Sequence, residues 1–404
     1  MDLNESGEGK AAMKFIHTAD WHLGKLVQGV YMTEDQRHVL EQLLDVIEKE
    51  RPDAVVIAGD LYDRAVPPTE AVELLDETLS RIVIGLQTPV IAVSGNHDSP
   101  DRISFGTRLM ADRGLHLAGQ FKLDAEPVKL RDDFGEVHFH LVPYCDPSMV
   151  RLALQDESIR THDAAMKAVT ERLAARLDAN ARHVFVGHAF VTPSGEPQDN
   201  TSDSERPLSI GGAEYVKPDY FKAFQYTAMG HLHQAHWVGS ENIRYSGSPL
   251  KYSVSEEHHR KGYLVVELDG EGKVSVEHRL LAPKRDMRRV SGYIKDIEAS
   301  RDRSEDYVFV TLLDENPVLF PMEKVRTVYP NALHVERRPA AALPRTESSS
   351  DESAGSGRSR RDSDPLSLFA AFYREVKEIE LSESKKQLFQ DVCRNVLQGE
   401  GAAR

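Results

Sequence analysis

Three short stretches decide how this chain is read: Ala58-Gly59-Asp60-Leu61-Tyr62-Asp63, Val93-Ser94-Gly95-Asn96-His97-Asp98 and Met229-Gly230-His231-Leu232-His233. Each closes a run suited to a buried strand, at 54–58, 90–93 and 226–229. Each then breaks at glycine into side chains that bind metals. Two further strands end the same way: 14–17 runs into Asp20-Trp21-His22, and 183–186 into Gly187-His188. In α/β sheets ligands bind beyond the carboxyl ends of the strands, so residues far apart in the chain can meet there.

Working outward, amphipathic stretches separate the strands. Residues 34–50 carry Val39, Leu43, Val46 and Ile47 at helical spacing, and 69–82, 102–112 and 162–177 also predict helices. With a further strand at 137–143, the alternation predicts a layered α/β core. From Asn242 the pattern turns mostly to strand, with Asp269-Gly270-Glu271-Gly272 as a hairpin turn.

The predicted organisation is an acidic, disordered extension at 1–12 and a catalytic domain at 13–282, followed by a small α+β capping domain at 283–340. In the last, 289–294, 307–313 and 332–336 read as strands and 322–328 as a helix. A Ser-, Gly- and charge-rich linker at 341–364 cannot bury apolar surface. Residues 365–398 carry two apolar stripes, Phe369-Phe372-Tyr373-Val376-Ile379 and Leu388-Phe389-Val392-Cys393-Val396. Two such helices behind a tether need a partner surface, either this protein's own body or another chain.

Composition narrows the function. Among 404 residues, 65 Asp and Glu outweigh 50 Lys and Arg, for a net charge of -15. That opposes nucleic-acid binding through bulk charge, while screening over ~8–10 Å leaves room for a local positive site. Two distant cysteines, Cys145 and Cys393, give neither a disulfide framework nor a thiolate zinc site. No run approaches the ~20 apolar residues of a membrane span, and the amino terminus lacks a secretory pattern. A cytoplasmic protein without a membrane anchor is expected.

The strand-end residues are two carboxylates (Asp20, Asp60), one amide (Asn96) and four imidazoles (His22, His188, His231, His233). Oxygen and nitrogen donors without thiolate suit Mn, Fe, Zn or Co rather than Ca. Seven donors exceed one ion's needs and suit two ions sharing a bridge, a cluster that stays positive and attracts phosphate. A lone histidine is ordinarily a surface or core residue, and His138, His140, His162, His258, His259 and His278 are read that way.

The order Asp20-x-His22, Gly59-Asp60-x-x-Asp63, Gly95-Asn96-His97-Asp98, Gly187-His188 and Gly230-His231-x-His233 resembles the calcineurin-like metallophosphoesterase superfamily. HTADWHLGK, AGDLYDRAVPP, VSGNHDSPDRISFG, TAMGHLHQ and SGSPLKYSVSE are most similar to its SbcD-type nuclease branch. The resemblance implies a two-sheet β-sandwich flanked by helices, with a capping domain and a carboxyl-terminal helical hairpin. It implies that Asp20, His22, Asp60 and His233 hold one ion and Asp60, Asn96, His188 and His231 another, both manganese. His97 would stand at the scissile phosphate, hydrogen-bonded and oriented by Asp63. The implied activity is double-strand exonuclease and single-strand or hairpin endonuclease in DNA repair and recombination. The implied partners are DNA ends and hairpins, an SbcC-type ATPase on the carboxyl-terminal helices, and a second nuclease subunit within a heterotetramer. Helix 34–50 is one candidate for the dimer contact. Lys25 and Arg102 follow ligand motifs and are candidates for phosphate contact; Arg285, Arg288 and Arg289 suit either DNA or a linker's charge cluster. A small-molecule or protein phosphoesterase on the same fold, and a non-enzymatic scaffold, are the alternatives. The second domain and tethered hairpin argue against the first, the intact donor set against the second.

Overall fold

The computed structural model describes residues 12–193, 202–205 and 215–338, together with Leu366, Phe369, Ala370, Tyr373, Ser382, Glu383, 385–390 and Val392. The expected extension and linker, and much of the expected helical segment, lie outside the described residues. The chain divides into two compact units, Met1–Leu343 and Pro344–Arg404. In the second, the rings of Phe369 and Phe389 stack 4.1 Å apart.

The first unit is built on two six-stranded sheets. After β1 (Met13–Thr18) come a two-stranded ribbon of β2 (Leu26–Val27) and β3 (Val30–Tyr31), then α1 (Thr33–Glu50), β4 (Ala54–Ala58), α2 (Thr69–Ser80) and β5 (Val90–Val93). Short α3 (Pro100–Ile103) and α4 (Thr107–Met110) precede β6 (Leu115–Ala118), β7 (Val128–Asp132) and β8 (Gly135–Val142). Then follow α5 (Pro147–Leu154), α6 (His162–Ala174), β9 (Arg182–His188), β10 (Tyr226–Gly230), β11 (His236–Val238), β12 (Ser240–Tyr245), β13 (Gly262–Leu268) and β14 (Val274–Leu280). The first sheet has the order β14-β13-β1-β4-β5-β6 and the second β11-β12-β10-β9-β8-β7. Four consecutive strands are parallel in each, β1-β4-β5-β6 in one and β8-β9-β10-β12 in the other.

Side-chain alternation makes the layers. Phe15, Val56, Ile91, Val184, Val186 and Ala228 point between the sheets, where Phe15 meets Phe139 and Tyr226 edge to face. Their neighbours Ile16, Val55 and Ile57 face outward onto α1 and α2. Phe185 faces outward with Val150, Met166 and Val169 of α5 and α6. Strands covered on both faces read as continuous apolar runs, which is why β4, β5 and β9 were legible.

The predicted helix 102–112 is broken into α3 and α4 because Gly106 enters the left-handed region, φ 70°. β6, β7 and α5 carry weaker patterns and were not anticipated.

The third sheet, β15-β16-β17, pairs Met287–Gly292, Tyr307–Leu312 and Ala332–Arg337 in parallel, with α7 (Ile294–Glu298) and α8 (Pro321–Arg326) packed on one face. The strand expected at 289–294 stops at Gly292, and Ile294 opens α7. Asp35 of α1 joins this sheet to the sandwich. Its carboxylate accepts from Arg285 and from the Tyr307 hydroxyl, each at 2.8 Å.

Candidate metal centre

The carboxyl ends of β1, β4, β5, β9 and β10 bring Asp20, His22, Asp60, Asn96, His188, His231 and His233 to one place. Ligand atoms of Asp20, His22 and His233 lie within 4.8 Å of one another, as do those of Asp20, Asp60 and His188. His22, Asp60 and His97 form a third such group. Asp60 Oδ2 stands 3.5 Å from both His22 Nε2 and His188 Nε2. Asn96 Oδ1 is 2.9 Å from His188 Nε2. His231 joins through its ring, 5.4 Å from that of His188, and through its amide, which donates to Asp20.

The backbone is bent to make this possible. Asp20, His22, Asp60 and His231 all take positive φ, at 54°, 45°, 51° and 111°. L-residues held in that region cost of order 1–3 kcal/mol each, and such strain clusters at functional sites. Space forces glycine beside them: a Cβ on Gly95 would lie 2.1 Å from Asp60 Oδ1, and one on Gly230 1.9 Å from the Ala58 carbonyl oxygen.

The donor set fits cations because more lone pairs converge than there are hydrogens to place between them. His188 Nδ1 donates to the Ala58 carbonyl (2.9 Å), so its Nε2 is bare where it faces Asn96 Oδ1 and the Asp60 carboxylate. His233 Nδ1 donates to Glu256 (3.1 Å), so its Nε2 is bare 3.1 Å from His22 Nε2. His22 Nδ1 has no hydrogen-bond partner, and the nearby Asp63 carboxylate is 3.7 Å away. Placing the His22 proton on either nitrogen leaves a lone pair facing another. Burial, then neighbouring imidazoles, hold His22 and His231 well below the usual histidine range; burial also lowers His188. Neutral rings are the ligand form. Burial and the charge of Asp60 push Asp20 well up, a penalty that cations between the two carboxylates relieve.

His97 Nδ1 bonds to residue 63 at 2.8 Å, but the acceptor is the main-chain carbonyl of Asp63, not its carboxylate. A carbonyl orients the ring without placing a negative charge beside it. The Asp63 carboxylate instead meets Lys25 Nζ at 2.8 Å, and Lys25 lies over the Tyr252 ring. Lys25 is thus committed to an ion pair. Arg102 is exposed on α3. Arg285 pairs with Asp35 and Glu34, Arg288 with Asp302 and Asp306, and Arg289 with Glu257, so these three bind neighbouring carboxylates.

Three supporting residues were not anticipated. Gln36 Nε2 donates to the carbonyls of Trp21 and His22, fixing the first ligand loop. Asp98 accepts from the amides of Leu61, Tyr62 and Gly95, tying two loops together; burial and Asp60 push its carboxyl up to about 7. Glu256 holds His233. Asp98 closes a ligand motif, but Gln36 and Glu256 lie 14 and 23 residues from the histidines they support, where no local signal marks them.

The calcineurin-like phosphoesterase family matches residues 13–234, and the family described as the type 5 capsule protein repressor C-terminal domain matches residues 283–377. Among solved structures, a dimetal phosphatase from Danio rerio aligns with TM-score 0.41 and 14% identity, over 68% of this chain and 98% of its own. TT1561 of Thermus thermophilus aligns with TM-score 0.36 and 13% identity, over 66% and 99%. The D subunit of the SbcCD nuclease of Staphylococcus epidermidis is 36% identical over 324 residues, 80% of this chain and 84% of that one. On that relationship and the phosphoesterase match together, the chain belongs to the SbcD family of calcineurin-like phosphoesterases.

Proposed function

We propose that this metal-dependent phosphodiesterase is the nuclease subunit of an SbcCD-type complex, cutting DNA ends and hairpins in repair and recombination. The observation that carries the reading is the convergence of seven donor residues around Asp60, joined with 36% identity to a nuclease subunit of that type. Asp20, His22, Asp60 and His233 would hold one ion and Asp60, Asn96, His188 and His231 the other, with manganese the expected metal. Bound there, two divalent ions supply an activated water and a clamp on the phosphate oxygens. The chain's own residues do the rest. The Asp63 carbonyl accepts from His97 Nδ1 and fixes the ring; a second proton on Nε2, which makes the ring an imidazolium, is the one His97 would give to the leaving oxygen. The edge of that ring meets His22, centroids 4.6 Å apart, which keeps it beside the metal position.

An SbcC-type ATPase is the expected partner, received by residues 365–398. A second copy of the chain is the expected nuclease partner, and its contact is better placed on α2–α4 than on α1. The apolar residues of α1, including Val39, Leu43 and Ile47, are spent on the core. By contrast Ile84, Phe105 and Leu109 are 75%, 84% and 84% exposed beside a hollow of about 640 Å³ that Leu75, Leu79 and Leu117 help to line. Knobs and hollow on one face suit a two-fold contact. Phe105→Glu is expected to turn a dimer into a monomer in light scattering with the metal content unchanged; an unchanged dimer would move the contact elsewhere.

The deciding experiment is cleavage of a hairpin-ended duplex by wild type and Asp60→Ala, in Mn2+ and in EDTA, with and without the ATPase. Cutting by wild type alone, only with metal, is expected, and the ATPase with ATP should enhance it. Hydrolysis of cyclic nucleotides or phosphopeptides without any DNA cleavage would replace the nuclease reading with a different phosphoesterase.

A further inference from the structure

Behind His233 lies a buried ion pair that the phosphodiesterase chemistry does not itself require. Glu256 is fully buried, and its two oxygens are divided between tasks. Oε1 accepts from His233 Nδ1 at 3.1 Å and from the hydroxyls of Ser202 and Ser204, and Ser204 Oγ itself stands 2.8 Å from His233 Nδ1. Oε2 meets Lys261 Nζ at 2.5 Å. Lys261 is itself buried and donates to the His233 carbonyl and to Ser248 Oγ, each at 2.8 Å. The His233 amide donates to Glu205 Oε1 at 2.8 Å. His233 is therefore gripped at its amide, its carbonyl and its ring, and Lys261 holds two of those three grips directly or through Glu256.

The other ligand histidines are held differently. His188 leans on a neutral carbonyl, that of Ala58, and His22 Nδ1 has no hydrogen-bond partner. Among the described residues, His233 is the one strand-end imidazole whose far nitrogen meets a carboxylate at hydrogen-bond distance. A carboxylate behind a ligating histidine fixes its tautomer and raises its basicity. An uncompensated buried carboxylate would cost several kcal/mol, and Lys261 Nζ stands 2.5 Å from this one.

We propose that Glu256, neutralised by Lys261, is a positioning residue for one metal position only: it presents Nε2 of His233 to the ion shared with Asp20, His22 and Asp60, and sets the affinity of that ion independently of its neighbour. This rests on the two-ion reading above. Lys261 anchors the arrangement; Ser202 and Ser204 complete the hydrogen bonding of the carboxylate.

The test is Mn2+ titration of the metal-free full chain by calorimetry, in wild type, Glu256→Gln and Glu256→Asp. Wild type is expected to bind two ions. Glu256→Gln is expected to weaken one by about 10–100-fold and leave the other unchanged. Glu256→Asp keeps a charge facing Lys261 while withdrawing the carboxylate by one methylene, so it remains informative should the Gln variant fail to fold; the same selective loss is expected. In a His233→Ala background, Glu256→Gln should weaken Mn2+ binding no further. A purely structural role would instead lower both affinities, with or without His233. Two sites of wild-type affinity in both Glu256 variants, or equal weakening of both ions, would overturn the inference and leave the two-ion reading standing. A wild type that takes up no Mn2+ would remove the two-ion reading and the inference with it.

Discussion

His22, His188, His231 and His233 crowd together at the strand ends; His138, His140 and His183 crowd together on the outer face of the second sheet. The ring spacings are nearly the same, 5.0 Å for His22–His233 against 5.2 Å for His140–His183. What differs is where the hydrogens go. In the second group His183 Nε2 donates to the Asp178 carbonyl (2.9 Å), which leaves its Nδ1 to accept from His140 Nε2 (3.0 Å), while His138 meets Glu136 at 2.8 Å. Donors alternate with acceptors and the chain is satisfied. At the strand ends the bare His188 Nε2 faces amide and carboxylate oxygens, and the single hydrogen of His22 can serve only one side of its ring, on a backbone forced into the left-handed region. A histidine cluster is a metal site when its lone pairs converge, not merely when its rings are close.

The most severe way to break the contrast is Asp60→Ala. Asp60 is the carboxylate equidistant from His22 and His188, so its loss should empty both positions. Several kcal/mol of lost transition-state stabilisation is at least ~10³-fold in cleavage rate. Elemental analysis reads the first effect and single-turnover kinetics the second; two ions per chain in the variant would remove Asp60 as the bridge. His97→Ala sharpens the same side. With the seven donors intact, metal content should stay at the wild-type value while kcat falls by ~10²-fold or more, as loss of a positioned acid does. Normal turnover would take His97 out of the mechanism.

On the other side of the comparison, His183→Ala removes the middle of a satisfied chain. It strands the buried His140 Nε2, and a buried group left without its partner costs about 1–3 kcal/mol. The expected result is a lower melting temperature with unchanged Mn2+ uptake. Lost metal would mean that the second cluster also binds cations.

The sequence separated these clusters for a physical reason. His188 and His231 directly follow a glycine at the close of an apolar run, with His233 two residues further on, whereas His138 and His140 alternate with Val137, Phe139 and Leu141 inside a strand. Strand ends are where a sheet offers open space, and strand interiors are where it packs. The layered fold was legible for the same reason, since strands covered on both faces announce themselves. What could not be read is everything that depends on two distant segments meeting. Glu256 lies in a short helical turn after Ser253, and nothing local says that its carboxylate will find His233 and Lys261. Residues 34–50 show the spacing of a helix with one apolar face, but spacing does not tell whether that face meets the core or a partner; α1 spends it on the core. Lys25 and the Arg285–Arg289 stretch looked free for phosphate because their carboxylate partners come from elsewhere in the chain.

The gentlest probe is acid, applied in EDTA so that metal release does not contribute. Burial, and then His183 and His138, lower His140 from 6.5 to about 4, with Arg176 adding to the effect. Burial lowers the core residue His17 from 6.5 to about 3. A histidine whose pKa is depressed by folding is neutral in the folded chain while its unfolded counterpart takes up a proton. Stability is therefore unaffected above pH 6.5 and is lost progressively as pH falls from 6.5 towards 4 for His140, and further for His17. His140→Phe keeps a ring of similar size beside Phe224 and cannot be protonated, so it should flatten the fall in melting temperature between pH 6.5 and 4 without abolishing it, because His17 still titrates. At pH 7.5 the same variant keeps the ring's volume and leaves only the His183 Nδ1 lone pair unmet, a smaller loss than His183→Ala, which strands the His140 donor and removes a ring. An unchanged acid slope would mean that His140 is protonated in the folded chain, and the second cluster would then be a reservoir of charge rather than a neutral hydrogen-bonded chain.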